Sequence, residues 1–242
     1  MRYVCAVFDY DGTLATDSHV RPSTIEALKK LRESGKKIIL ATGRQLEELL
    51  GVFPDADLFE EIVAENGAVL YTPTTRNYKV LAEPPPASFV EELRRRGVAP
   101  IAVGDSIVAT WRPHEQTVLD VIRDEGLGLQ VIFNKDAVMV LPAGVSKATG
   151  LVVATEELEL SLCNVVGAGD AENDYAFLAL CGCSVAVANA LPALKERVDY
   201  VTSGDHGGGV EELIERILAD DLASLPPGGR HRVVENNCTE PA

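Results

Sequence analysis

Short, continuous apolar runs alternate with amphipathic stretches along the first third of the chain. Val4-Cys5-Ala6-Val7-Phe8, Lys37-Ile38-Ile39-Leu40-Ala41 and Glu61-Ile62-Val63-Ala64 read as strands buried on both faces. Between the first two, Ile25, Leu28 and Leu31 recur at helical spacing after Arg21-Pro22-Ser23-Thr24, and Ser34-Gly35 marks the stop. A short helix is expected over about 45–50. Strands and helices alternating at these lengths imply right-handed crossovers and a parallel sheet. The same rhythm returns late in the chain. A helix is expected over 148–158, strands over 163–168, 184–188 and 200–201, and helices over 175–180, 192–198 and 210–219.

The middle of the chain has a different pattern. Ala68-Val69-Leu70-Tyr71 and Tyr78-Lys79-Val80-Leu81 form an expected hairpin, and Pro84-Pro85-Pro86 breaks the chain after it. A helix over 89–96 then leads to two strands about a Gly104-Asp105-Ser106 turn. Pro113 opens a second helix with Val118, Val121 and Ile122 on its apolar face. Strands over 129–133 and 137–141 flank Asn134-Lys135-Asp136. Hairpin connections in an α-β-β-α-β-β order set residues 82–142 apart from the crossovers around them. The expected architecture is an α/β, Rossmann-like parallel-sheet core built from 1–81 and 143–221, carrying an inserted α+β unit over 82–142. The Pro- and Gly-rich stretch 222–242 reads as a flexible tail or a linker.

Composition narrows the function classes. With 242 residues the chain can bury a large core. A net charge of −15 argues against a nucleic-acid surface, which needs basic patches. Five cysteines are an odd number in a chain too long to depend on a disulfide framework, and Cys181-Gly-Cys183 has no second pair or nearby histidines to suggest a metal site. The N-terminal apolar run is too short for a leader and stops at Asp9, and no apolar stretch reaches membrane-spanning length, so a cytoplasmic protein with no membrane partner is expected.

The chemistry sits at the strand ends. Asp9/Asp11, Thr42/Arg44, Glu65/Asn66 and Asp170/Asp174 each close a core strand, and Lys147 opens a helix. In a parallel sheet these ends share one edge. Singly, each has an ordinary reading: Asp11-Gly12 a turn, Thr42 a helix N-cap, Lys147 a solvated lysine, Asn173-Asp174 a cap for the next helix. Together, three carboxylates, a hydroxyl and a lysine on one edge suit phosphoryl transfer. Carboxylates favour Mg²⁺, a carboxylate nucleophile splits a hard hydrolysis into two steps, and Lys, hydroxyl and amide donors neutralise the transferring oxygens. Phosphate-monoester hydrolysis asks upward of ~20 kcal/mol of an enzyme, more than any single group supplies.

Four motifs carry a resemblance to the haloacid dehalogenase superfamily, within it to phosphatases with a type IIB cap: the group around archaeal-type phosphoglycolate phosphatases, sucrose-phosphatases and Cof-like sugar phosphatases. They are Phe8-Asp9-Tyr10-Asp11-Gly12-Thr13-Leu14, Ala41-Thr42-Gly43-Arg44, Gly144-Val145-Ser146-Lys147 and Gly169-Asp170-Ala171-Glu172-Asn173-Asp174, in that order over about residues 1–220. The resemblance implies an Mg²⁺-dependent phosphatase acting on a small phosphorylated metabolite through an aspartyl-phosphate. Asp9 is then the nucleophile and a metal ligand. Asp11 is the acid/base and reaches the metal through its main-chain carbonyl. Thr42, Gly43, Arg44, Lys147 and Asn173 attend the phosphate, Asp170 completes the metal site, and Asp174 supports it. Residues 82–142 become the cap. At its Trp111-Arg112-Pro113-His114 junction, Arg112 is the candidate for a second anionic group of the substrate, with Asn134 and Lys135 behind it. A phosphoglycolate-like acid and a sugar phosphate both remain open, as do monomer and homodimer. Phosphotransfer to a second sugar and a receiver-like signalling module are the alternatives. The latter would lack the insertion and the first-strand Asp-x-Asp-Gly-Thr.

Overall fold

A computed structural model describes residues 2–134 and 136–225. Most of the expected tail therefore lies outside the described residues. In chain order the elements are β1 (Cys5–Asp9), β2 (Ala15–Thr16), β3 (His19–Val20), α1 (Pro22–Glu33), β4 (Lys37–Ala41), α2 (Leu46–Val52), β5 (Glu61–Ala64), β6 (Val69–Thr72), β7 (Asn77–Val80), α3 (Ala87–Arg95), β8 (Ala102–Val103) and β9 (Val108–Trp111). Next come α4 (Glu115–Asp124), β10 (Leu129–Asn134), β11 (Ala137–Pro142), α5 (Lys147–Glu157), β12 (Val165–Gly169), α6 (Tyr175–Leu178), β13 (Cys183–Ala186), α7 (Pro192–Lys195), β14 (Tyr200–Val201) and α8 (His206–Asp220).

The large sheet runs β14-β13-β12-β1-β4-β5-β6-β7, parallel from β14 to β5 and antiparallel at β6 and β7. Its strands β1, β5, β12 and β13 are buried throughout, which is why they read as mostly apolar runs. The order of the strands decides where a ligand can sit. From β1 the chain crosses to β4 on one side, and after the insertion it returns to β12 on the other. The strand order reverses at β1, so a crevice opens beyond its carboxyl end. Register then aligns the chemistry: Asp9 pairs with Ala41, one residue before Thr42, and Phe8 pairs with Ala168, two before Asp170.

A second, antiparallel sheet of order β10-β11-β9-β8 forms the smaller lobe. Alternation along β11 gives each face a partner. Val138 and Val140 join Phe89, Leu93, Val118 and Val121 under α3 and α4. Met139 and Leu141, on the other face, meet Ile107 of the lobe and Ala68 of the core. The lobe therefore buries one face against its own helices and rests the other on the large sheet's edge.

Two elements depart from the sequence expectation. The loop after Asp11 contains the small hairpin β2–β3, held because Tyr10 is buried and donates from its hydroxyl to the Ser18 carbonyl at 2.9 Å. Helix α8 begins at His206, four residues before the expected start. Gly207, Gly208 and Gly209 carry no apolar signal and are poor helix formers, so the periodicity becomes visible only at Val210. Cys5 and Cys181 are free, buried thiols, and Cys183 is buried as well. Among the described residues no helix is long and apolar enough to cross a membrane.

Candidate active site

The site is built outward from the end of β1. Asp9 is the last residue of the strand and only 4% exposed. The chain then turns back on itself, Ala15 N–H donating to the Tyr10 carbonyl at 2.8 Å and Gly12 N–H to the Ala15 carbonyl at 3.0 Å. Gly12 sits at φ +93°, and a Cβ there would fall 2.3 Å from an oxygen of Asp170, so only glycine lets this loop pass over that carboxylate. The Thr13 hydroxyl donates to Asp170 at 3.4 Å, and the Asn189 amide holds the Gly12 carbonyl at 2.7 Å.

Asp9, Asp170 and Asp174 converge here, all buried, with one carboxylate oxygen from each within 4.8 Å of the others. Lys147, at the first position of α5 and 1% exposed, donates to Asp9 and, at 2.7 Å, to Asp174. The other oxygen of Asp174 accepts from the Asp170 and Ala171 N–H groups at 2.8 and 2.9 Å. Asp174 thus caps its own turn and braces the lysine at once. Burial pushes the Asp9 carboxyl well above the usual range, and neighbouring Asp174 adds to this against the pull of Lys147. Burial by itself would depress the Lys147 ammonium, but Asp174 and Asp9 outweigh it and hold its pKa above the ordinary value. Three buried carboxylates this close repel one another, which a bound cation relieves. An all-oxygen donor set of this kind fits a hard divalent metal.

Asp11 does not join the cluster. Its carboxylate is held by two parallel bonds from Arg44, Nε to Oδ2 at 2.6 Å and Nη2 to Oδ1 at 2.7 Å. Arg44 also donates to Ser18 and Glu48, each at 2.6 Å, and its guanidinium lies over the Tyr10 ring at 5.5 Å. The arginine expected on the phosphate is thus committed to the carboxylate expected to move the proton. Thr42 is fully buried and does not cap a helix, since α2 starts at Leu46 with Gln45 before it. Its hydroxyl oxygen accepts from the Arg44 N–H at 3.1 Å, leaving the hydroxyl hydrogen for another acceptor. Asn173 donates to Asn66 at 2.9 Å, and its own carbonyl oxygen is buried with no partner among the described residues.

A cleft of about 220 Å³ opens over these groups. Asp9, Asp11, Gly43 and Arg44 line it from the core, and Ile107, Trp111, Asn134 and Met139 from the smaller lobe. Arg112 is not among the lining residues. Its side chain is 55% exposed, lies over the Phe133 ring at 5.9 Å and is 3.8 Å from Glu115, because the turn after β9 points it along the lobe surface. Lys135 lies outside the described residues. Asn134 lines the cleft, and its carbonyl oxygen is buried with no partner among the described residues. In the sequence Glu65 and Asn66 are only a polar strand end with no assigned task. In the structure Asn66, at φ +52°, sits between Asn173 and Met139, with its amide 3.0 Å from the Met139 sulfur. A left-handed asparagine before Gly67 leaves no periodic signal in a sequence.

Comparisons with known proteins place the chain in a family. Residues 6–103 and 112–214 match the family of haloacid dehalogenase-like hydrolases. A phosphoglycolate phosphatase of Methanothermobacter thermautotrophicus is 32% identical over 220 residues, covering 87% of this chain and 96% of the relative. Among solved structures, a haloacid dehalogenase-like hydrolase from Bacteroides thetaiotaomicron superposes with a TM-score of 0.76 at 21% identity, covering 89% of this chain and 99% of the other. A subclass IIB sugar phosphatase superposes with a TM-score of 0.72 at 20% identity, covering 88% and 97%. At these identities the two structures speak for the fold alone.

Proposed function

We propose that this chain, which belongs to the haloacid dehalogenase-like hydrolases and hydrolyses phosphate monoesters, acts on a small phosphorylated organic acid of the phosphoglycolate kind, with Asp9 as nucleophile and Asp11 as acid/base. The observation that carries the reading is Asp9, buried and bonded to Lys147, at the floor of a cleft of only about 220 Å³. That volume suits a leaving group of few atoms, and the relatives named phosphoglycolate phosphatase support the acid over a sugar.

Asp9 attacks phosphorus and the ester oxygen leaves with a proton from Asp11, giving an aspartyl-phosphate and the alcohol. Asp11 then takes a proton from water as its oxygen attacks the same phosphorus, which restores Asp9 and frees phosphate. Arg44 aims Asp11 for both transfers. The Thr42 hydroxyl and the Lys147 ammonium donate to the phosphoryl oxygens beside the Gly43 main chain. Asp9 and Asp170, with the main-chain carbonyl of Asp11, would hold Mg²⁺, whose charge neutralises oxygens developing in the transition state. Asp174 braces Lys147. Asn134 offers an amide to the carboxylate of the leaving group.

The test is phosphate release from phosphoglycolate and from a panel of sugar phosphates, with and without Mg²⁺, for the natural protein and for Asp9→Asn. Phosphoglycolate should give the higher kcat/KM, and Asp9→Asn should lose turnover at least a thousandfold. Full activity in Asp9→Asn would overturn the covalent route, and a preference for sugars would overturn the substrate class.

A further inference from the structure

The least expected carboxylate in the molecule is that of Glu65. It is 1% exposed, yet it points away from the metal cluster and into the smaller lobe. One oxygen accepts from the Asp105 N–H at 3.0 Å, and the other from the Ser106 and Ile107 N–H groups at 2.8 and 3.0 Å. Three consecutive amides of the β8–β9 turn thus converge on a single core side chain, an anion-binding concavity occupied from across the interface. The fit is close. A Cβ on Gly104 would lie 2.3 Å from the same carboxylate, and Ser106, fully buried, turns its hydroxyl to the Ala82 carbonyl.

Glu65 also reaches the reacting groups through its own backbone. Glu65, Asn66 and Gly67 occupy three successive left-handed conformations, at φ +49°, +52° and +102°. Two such non-glycine residues in a row are strained and persist only where their surroundings hold them. Here the Glu65 N–H donates to the Arg44 carbonyl at 2.9 Å and the Asn66 N–H to the Thr42 carbonyl at 3.0 Å. The dipeptide that grips the lobe therefore also pins the loop that presents Thr42, Gly43 and Arg44. On the lobe side, the gripped turn runs into Ile107, Ala109 and Trp111, which wall the cleft opposite Asp9.

We propose that Glu65 is a positioning residue, a latch whose carboxylate docks the 104–107 turn and holds the smaller lobe closed over the Asp9 cleft in register with the Thr42–Arg44 loop. The proposal rests on that cleft being where phosphate esters react. Closure matters most for a small substrate, which has too few atoms to bridge an open cleft and depends on the lobe to bring Asn134 to it. A bulky, activated ester needs it less. An ångström of misplacement at a reacting centre costs about a hundredfold in rate.

The experiment uses Glu65→Gln, which keeps the shape but not the charge, and Gly104→Ala, which pushes on the same carboxylate from the lobe side. Each is compared with the natural protein in thermal unfolding, backbone amide exchange, Trp111 emission and turnover. Trp111 is the sole tryptophan and a cleft residue, so its emission reports the position of the lobe. Exchange at Asp105, Ser106 and Ile107 should quicken at least tenfold in both variants, while exchange in β1 and β12 stays slow. The ratio of kcat/KM for phosphoglycolate to that for p-nitrophenyl phosphate should fall at least tenfold, and the double variant should fall no further than the worse single one. Amide exchange and Trp111 emission need no turnover, so they decide the latch even if phosphoglycolate proves to be the wrong substrate. Unchanged exchange at the turn, or equal losses on both esters, would overturn the proposal. If one variant fails to fold, the other carries the same readouts.

Discussion

Arg44 grips Asp11 through two parallel bonds of 2.6 and 2.7 Å, and this pairing fixes how that carboxylate is presented to the cleft. A bidentate guanidinium fixes the plane of a carboxylate as well as its position. Asp11 is thereby kept apart from the three buried carboxylates and aimed into the cleft. Lysine, a point charge on a flexible stem, cannot reproduce the fork. Arg44→Lys should lower kcat by about ten- to a hundredfold with KM changed much less, since under the proposed mechanism orientation of the acid/base is what is lost. Steady-state kinetics on the better ester decide it, and a rise in KM at constant kcat would show that Arg44 binds substrate instead.

Lys147 is the only ammonium bonded to Asp9 and Asp174 among the described residues. Lys147→Met should remove activity and leave two buried carboxylates without their cation. Breaking a buried pair in this way costs about 3–5 kcal/mol, to be read in urea unfolding. Because the pKa of Lys147 is raised in the fold, its contribution is fully present at neutral pH. It is lost only as pH climbs past the unfolded value of about 10.4.

The convergence of three buried carboxylates, Asp9, Asp170 and Asp174, predicts stabilisation by a divalent cation. Millimolar Mg²⁺ should raise the thermal midpoint of the natural protein by several degrees, and much less in Asp170→Asn, as linkage requires of a ligand bound only by the folded state. Calorimetry with and without chelator checks this. An equal rise in both proteins would place the cation elsewhere.

Glu61 supplies a pH dependence remote from the cluster. Desolvation raises its pKa to about 7, against the hydrogen bonds it accepts from Thr72 at 3.0 and 3.1 Å. A folded pKa above the unfolded one near 4.3 means that the folded state holds the extra proton. Stability therefore declines as pH rises from about 4.3 through 7 and is flat beyond it. Glu61→Gln should be more stable than the natural protein at pH 8 and no more stable at pH 4. Urea midpoints at the two pH values test the sign.

Much of the site is legible without any coordinates. Asp9, Thr42 and Asp170 end strands whose apolar runs announce burial on both faces, and in a parallel sheet such ends share one edge. The reversal of strand order at β1, which makes that edge a crevice, belongs to the structure. The smaller lobe is legible too, because hairpin spacing differs from crossover spacing. The partners are harder. Arg44 reads as a phosphate ligand and is bound to Asp11, while Arg112 reads into the cleft and lies along the lobe surface.

Glu65 shows why. Residue type and periodicity are local properties, so they determine which segments are strands, which faces are buried and where polar groups leave the sheet. Which group each polar side chain then meets depends on register and turn geometry summed over long stretches of chain. Asp11 and Arg44 are 33 residues apart, Glu65 and Ser106 41, and Lys147 and Asp9 138. The chain's own pattern determined a parallel α/β core with carboxylates, a hydroxyl and a lysine on one edge. Only the tertiary structure decided which carboxylate faces the lysine, which faces the arginine and which reaches across to the lobe, because only there do desolvation and hydrogen-bond geometry choose among partners of the same charge.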